Sequence, residues 1–307
     1  MYQIEIINNP NKLLNQVVVT NKNLNFKSVI YPNLGASLQK LSFENIDLIN
    51  GITNDEIGIK TYEMAYKSSF LFPYPNRVKN GSYKFNEINY QLKCNETAFN
   101  NALHGHIHNK SFSLIKTNVT DNFAQLIFGY SDDGSTKGFP FPFKIEICYT
   151  FSVNALSINF KTTNSGTEKF PFGIGWHPYF NSDNLSESII DFKADLQFKS
   201  NNKMIPENKK TISHQLPLKI ENTQLDDCYI LKKNSVKLAT PRYQLLIKFS
   251  ESNQQNYFQI FTPDDKKSVA LEPMTCAPNA FNNKAGLLVL NPEKSYNWNI
   301  SIKYTNL

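Results

Sequence analysis

Cysteine is scarce in this chain of 307 residues, and the four present, Cys94, Cys148, Cys228 and Cys276, stand far apart with no C-x-x-C pair. That spacing argues against a structural zinc site or a disulfide framework and fits a reducing compartment. No run approaches the roughly 18 apolar residues of a membrane-spanning helix. The opening MYQIEIINNPNKLLNQ has no basic stretch followed by an apolar one, so no secretory signal is expected and the expected location is cytoplasmic. Arginine is nearly missing. Lys and Arg total 32, yet only Arg77 and Arg242 are arginines, and 26 acidic residues leave a net charge of +6. Nucleic-acid readers cluster arginine on one face. Here lysines are scattered among acids, so the charge reads as a solvated surface, with no nucleic-acid or membrane partner. Glycine is low, at 12, and asparagine occupies many of the turns instead.

What the sequence has is alternation of period two. In FKIEICYTFSV, Phe143, Ile145, Ile147, Tyr149, Phe151 and Val153 alternate with Lys144, Glu146, Cys148, Thr150 and Ser152. Such a segment buries one face of a strand. A turn at Asn154–Ala155 and a second alternating run through Leu156, Ile158 and Phe160 predict a hairpin. Similar short runs recur along the chain, among them QVVVTN, AQLIFGYS, YQLLIKFS and YNWNISIKY. No long stretch places apolar residues at i, i+3, i+4 and i+7, and helical turns are expected only near residues 97–103. No fixed-period repeat argues for a propeller, and no Pro/Ser/Gly-rich linker divides the chain. The expectation is one all-β domain over residues 1–307, a large antiparallel sandwich or barrel.

Five segments stand out from this strand background. FPYPNRVKNGSYKF holds Asn76 and Arg77, and an arginine fork suits hydroxyl or carboxylate oxygens; the plainer reading is a surface ion pair. NALHGHIHNKSF holds His104, His106 and His108, a spacing that would share one strand face and suit a metal. Gly105 and Asn101 favour a loop, and no acidic ligand is adjacent, so no metal is expected. PFGIGWHPYF sets His177 among Trp176, Tyr179 and Phe180, a proton donor beside an apolar wall suited to a sugar ring; a buried core histidine is the plainer alternative. QLDDCYIL carries Asp226 and Asp227, which face opposite ways if extended, so at most one points inward. SVALEPMTCAPNAFNN places Glu272 at the end of an apolar run, where a carboxylate is costly without a partner or a task.

Together and in this order, the segments resemble the aldose 1-epimerase (galactose mutarotase) family. That pattern runs P-x-x-N-R-[IV]-x-x-G-x-[FY], N-x-L-H-G, H-P-Y-F, D-x-x-[FY], then L-E with P-x-A following. Here it reads PYPNRVKNGSY, NALHG, HPYF, DDCY and LEPMTCAPNA. The resemblance extends from YPNLGASLQKLSF to GLLVLNPEKSYNWNISIKY. It implies a large antiparallel β-sandwich, the galactose mutarotase-like supersandwich. It implies Glu272 as general base and His177 as general acid. Asn76, Arg77, His104 and Asp226 would bind the sugar, with Asp227 as the fallback for Asp226. Two departures stand out. His106 replaces the second glycine of the usual H-G-G, and the usual glycine-aromatic pair before Asp226 is missing.

The implied reaction interconverts the α and β anomers of a free hexose through the open-chain aldehyde. It needs an acid and a base on the two oxygens of one carbon, and no cofactor. Nearby carboxylates are expected to lift the His177 pKa above its free value, giving an alkaline limb above about pH 7. The alternatives are a hexose-6-phosphate 1-epimerase using Lys79, Lys110, His106 or His108 as cations, a glycoside hydrolase using Asp226 and Glu272, and a non-catalytic sugar-binding protein on the same fold. The partner is a small-molecule sugar, and the chain is expected as a monomer or homodimer.

Overall fold

The computed structural model describes residues 1–212, 214–221, 223–250 and 256–307. It is an all-β architecture whose large sheets are antiparallel. The alternating segments form the central hairpin, Phe143–Ser152 against Ala155–Asn164. Phe143, Ile145, Ile147, Tyr149 and Phe151 are buried on its inner face. The turn falls one residue early, at Val153–Asn154. Asn154 takes the left-handed conformation, with φ 53°, which asparagine tolerates better than alanine does.

This hairpin lies within a nine-stranded sheet. Its order is Ser113–Val119, Phe123–Asp132, the hairpin, Ser295–Asn306, Tyr243–Phe249, Ser235–Ala239, Ile189–Asp191 and Leu218–Lys219. A second sheet runs Pro206–Thr211, Ala194–Ser200, Asp226–Leu231, Asn256–Phe261, Ser268–Met274, Gly175–Trp176 and Phe70–Leu71, with Tyr179–Asn181 also pairing Ser268–Met274. A five-stranded meander over Gln3–Asp47 makes a third. One apolar core joins all three, through Val19 and Phe43, through Tyr149 and Phe160, and through Phe258 and Leu271. Burying such large side chains supplies the main stabilising force, about 1.5–3 kcal/mol for each.

The helix expectation was misplaced. Residues 97–103 form a turn and a short strand, whereas Glu56–Ala65 is an α-helix capped by Asp55, whose side chain accepts from the Gly58 amide. Its buried positions are only Gly58, Ile59 and Tyr62, while Ile57 and Met64 face solvent at 71% and 83% exposure. Apolar residues on both faces blur the helical period. Among the described residues no helix is long and apolar enough to cross a membrane.

Candidate active site

Two short strands bring the first two motifs together. Arg77–Val78 pairs antiparallel with Ala102–Leu103, which sets Asn76 beside His104. The His104 amide donates to the Asn76 carbonyl at 2.9 Å. The Asn76 amide donates to His104 Nδ1 at 3.2 Å. Nδ1 is therefore an acceptor, and the ring proton of neutral His104 sits on Nε2. Both residues have positive φ, 56° and 60°, as does Gly105 at 67°. A Cβ at Gly105 would lie 2.0 Å from the Phe72 carbonyl oxygen, so glycine is required where this loop crosses the Pro73 segment. Non-glycine left-handed residues clustered around a cavity mark a backbone held by its surroundings.

Arg77 is fixed by a residue that sequence reasoning missed. Its Nε lies 3.0 Å from both oxygens of Glu96, and Nη2 lies 2.8 Å from Oε1. Asn101 donates to the same carboxylate at 2.9 Å, and Asn76 Oδ1 accepts from the Arg77 amide at 2.9 Å. Glu96 thus clamps one edge of the guanidinium and Asn76 Oδ1 accepts from Nη1 at 3.4 Å, which leaves one N–H on each outer nitrogen for a ligand.

The second sheet supplies the carboxyls. Register sets Glu272 opposite Gln259 and Asp226 opposite Phe261. Gln259 donates to Asp226 at 2.6 Å. Asp227 faces the other way and accepts from Gln197 at 2.7 Å. Glu272 is 2% exposed and His177 6%. His177 Nε2 lies 3.4 Å from Glu272 Oε1. His177 Nδ1 and Glu272 Oε2 have no hydrogen-bond partner among the described residues. The His177 ring stacks on Tyr179 at 5.1 Å and meets His104 edge-on at 5.2 Å.

Electrostatics here reverses the expected sign for His177. Burial pushes its pKa down to about 4. The carboxyl expected to lift it is itself pushed well above its usual range, by burial first and by the charge of Asp226 second. A neutral acid offers no full negative charge to an imidazole, so desolvation wins at both partners. His104 is also held well below the usual imidazole range by burial. Asp226 opens onto the cavity, but protein on its other sides raises its pKa, with Arg77 opposing.

Asn76, Arg77, His104, His177, Asp226 and Glu272 all line one cavity of about 520 Å³. The cations proposed for a phosphate do not line it. His106 Nε2 lies 3.7 Å from Asp132 Oδ2, and His108 packs edge-on against Tyr66. The three histidines therefore do not converge, and no three His, Cys, Asp or Glu among the described residues are grouped to hold a metal ion. Lys79 and Lys110 are absent from the lining too, and Lys67 is present. No local pattern in the sequence marks Glu96, Gln259 or Lys67. They reach the site through strand register and a turn, which only the folded chain brings into view.

A family model described as Aldose 1-epimerase matches residues 16–303. Uncharacterized protein YihR of Escherichia coli K12 is 26% identical over 276 residues, covering 86% of this chain and 85% of that one. Bifunctional protein gal10 of Schizosaccharomyces pombe is 24% identical over 260 residues, covering 76% of this chain and 36% of that protein. Among solved structures, a galactose mutarotase-like protein from Clostridium acetobutylicum superposes with a TM-score of 0.86 at 19% identity, covering 100% of this chain and 99% of that one. Galactose 1-epimerase from Lactobacillus acidophilus gives 0.81 at 14% identity, with 100% and 99% covered. At these identities the structural likeness shows the fold.

Proposed function

The chain belongs to the aldose 1-epimerase family, and from that premise we propose that it interconverts the α and β anomers of a free hexose. The observation that carries the reading is the buried pair His177 and Glu272, 3.4 Å apart in the cavity wall, each with one polar atom unpartnered. Unmet buried polar atoms are costly, and a sugar's C1 hydroxyl and ring oxygen are the groups they would serve.

In ring opening one partner takes the C1 hydroxyl proton while the other protonates the ring oxygen. The bond from C1 to the ring oxygen breaks as the carbonyl forms. Rotation about C1–C2 presents the other carbonyl face, and the transfers run backwards. Burial favours the neutral pair, Glu272 protonated and His177 not. A proton shift from Oε1 to Nε2 gives carboxylate and imidazolium, with Glu272 as base and His177 as acid. Both forms hold one dissociable proton. His104 Nε2–H and the outer N–H groups of Arg77 donate to sugar hydroxyls, Asp226 accepts from them, and Asn76 braces Arg77. Holding the hydroxyls while C1 turns is catalysis by positioning.

The primary test is anomer exchange by NMR and polarimetry on fresh α-D-glucose and a panel of free hexoses. Acceleration over buffer is expected. If no sugar exchanges faster, the reading fails.

The pH profile follows from the shared proton. Below about pH 4 the pair gains a second proton, at His177, and has no base. Above the raised Glu272 pKa it loses its last proton and has no acid. A bell-shaped kcat/KM is expected, its acid limb near pH 4 and its alkaline limb above the usual carboxylate range. An acid limb at about 6.5 would mean that His177 titrates as a free imidazole and would refute this protonation scheme.

Glu96 gives a separate prediction. Glu96→Gln leaves Arg77 without its charged clamp, and KM should rise by about tenfold, the cost of a charge-assisted bond, with kcat changed less. Unchanged KM would remove Arg77 from sugar binding or Glu96 from its support.

A further inference from the structure

The cavity is longer than one ring requires. Packed as in an organic crystal, a hexose fills about 200 Å³ and a disaccharide about 380 Å³. The cavity holds about 520 Å³. Glu272 and Ser268 both line it from the single strand Ser268–Met274. Four residues at about 3.3 Å each set them some 13 Å apart on one strand face. Glu272 marks the end where C1 reacts. Ser268, Lys67, Asp264 and Asp265 border the rest.

Lys67 is set there by a strained turn that no motif marked. It stands between Tyr66 and Ser68, both left-handed, with φ 51° and 56°. Each such residue costs about 1–2 kcal/mol and persists only where its surroundings fix it. The fixings lead to the segment that carries His177. The Ser68 amide donates to the His177 carbonyl at 2.9 Å, and the His177 amide donates to the Ser69 carbonyl at 3.0 Å. Tyr179 OH donates to the Ala65 carbonyl at 3.0 Å, and Trp176 Nε1 to that of Ser68 at 3.2 Å. The turn and His177 are thereby one rigid unit. Lys67 Nζ sits 5.6 Å over the Tyr179 ring. It donates to Asn50 Oδ1 and lies 3.5 Å from the Gly51 carbonyl oxygen. An ammonium has three donors, so one N–H remains.

The chemistry of this end is mixed. Lys67 and Ser268 donate, and Asp264 and Asp265 accept. A hydroxyl both donates and accepts, so a neutral sugar can satisfy all four. A phosphate offers acceptors alone and would meet carboxylates. The cavity's other cation, Arg77, is already paired with Glu96, while Asp226, Asp264 and Asp265 all line the wall. We propose that this end is a second sugar subsite, taking the neutral unit linked to the reducing hexose, with Lys67 as its specificity-determining residue. The proposal rests on the catalytic reading of His177 and Glu272.

The test is anomer exchange by NMR on maltose, glucose and glucose 6-phosphate, with the wild type and Lys67→Met. In the wild type, kcat/KM for maltose is expected to equal or exceed that for glucose, and glucose 6-phosphate to be at least about tenfold poorer, the scale of one charged contact. Lys67→Met should lower kcat/KM on maltose by about tenfold, mainly through KM, and on glucose by less than about threefold. Asp265→Asn, at an exposed residue, makes the same comparison without touching the turn and should also lower maltose selectively. Equal losses on glucose and maltose in both variants would overturn the subsite. So would a wild-type preference for glucose 6-phosphate that Lys67→Met abolishes. Either result leaves the catalytic pair standing, whereas exchange of no sugar overturns the catalytic reading itself.

Discussion

Glu272→Gln and His177→Asn should each lower kcat by at least about 100-fold, the low end for loss of a general acid or base. Both variants keep the approximate shape of the side chain and remove its proton transfer. The pair lies 3.4 Å apart and is proposed to act as one proton-sharing unit, so the double variant should be scarcely worse than either single one. Groups that act as a unit are not additive. Glu272→Gln carries a second signature. Burial raises the Glu272 pKa well above its usual value, so folding opposes an ionisation that the unfolded chain enjoys at neutral pH. An amide has no such penalty, and the variant should be more stable than the wild type at pH 7. Polarimetry and urea unfolding on the same preparation check both. Near-normal kcat in either single variant would remove that residue from its role. Loss of activity with loss of stability would point to misfolding instead.

The parts of this molecule legible in the sequence are those set by local pattern. The hairpin at 143–164 follows from alternation alone, and the turn error of one residue came from ignoring how readily Asn154 takes a positive φ. The six proposed site residues were named from motifs, and the chain brings all six to one cavity. The strand's two-sidedness left Asp226 and Asp227 as alternatives and the family resemblance favoured Asp226; register turns Asp226 to Gln259 at the cavity and Asp227 to Gln197. What stayed hidden depends on distant partners. Glu96 is 19 residues from the arginine it clamps. Lys67 reaches the cavity wall because its turn is bonded to the backbone of a residue more than a hundred positions away. The sign of the His177 shift was misread because a carboxyl counts as a negative charge only if its own burial permits ionisation, and burial depth is not written in a motif.

The same buried imidazoles should make the protein sensitive to acid. His177 and His108 are pushed down to about 4 by burial, and His104 well below its usual value. In the unfolded chain each titrates near 6.5. Between about pH 6.5 and 4 the unfolded state therefore binds up to three protons that the folded state refuses. Stability falls with pH across that window, by about 1.4 kcal/mol per proton per pH unit. Two groups act the other way. Glu272 and Asp226 have raised pKa values, and the folded state holds their protons where the unfolded state does not. Three against one or two leaves a net uptake of one to two protons on unfolding. The free energy of unfolding should then drop by about 3 kcal/mol between pH 6.5 and 4.5, read from urea titrations at a series of pH values. Asp132, held down to about 2, adds its loss only at lower pH. His108→Gln isolates one contribution, because His108 does not line the cavity. Its slope should be shallower by close to one proton, with anomer exchange at pH 7 little changed. A wild type equally stable at pH 7 and pH 4.5, or a His108→Gln variant with an undiminished slope, would show that these histidines accept protons in the folded state. In that case His177 would be charged at mildly acid pH, and the proton-sharing scheme for the pair would have to be replaced.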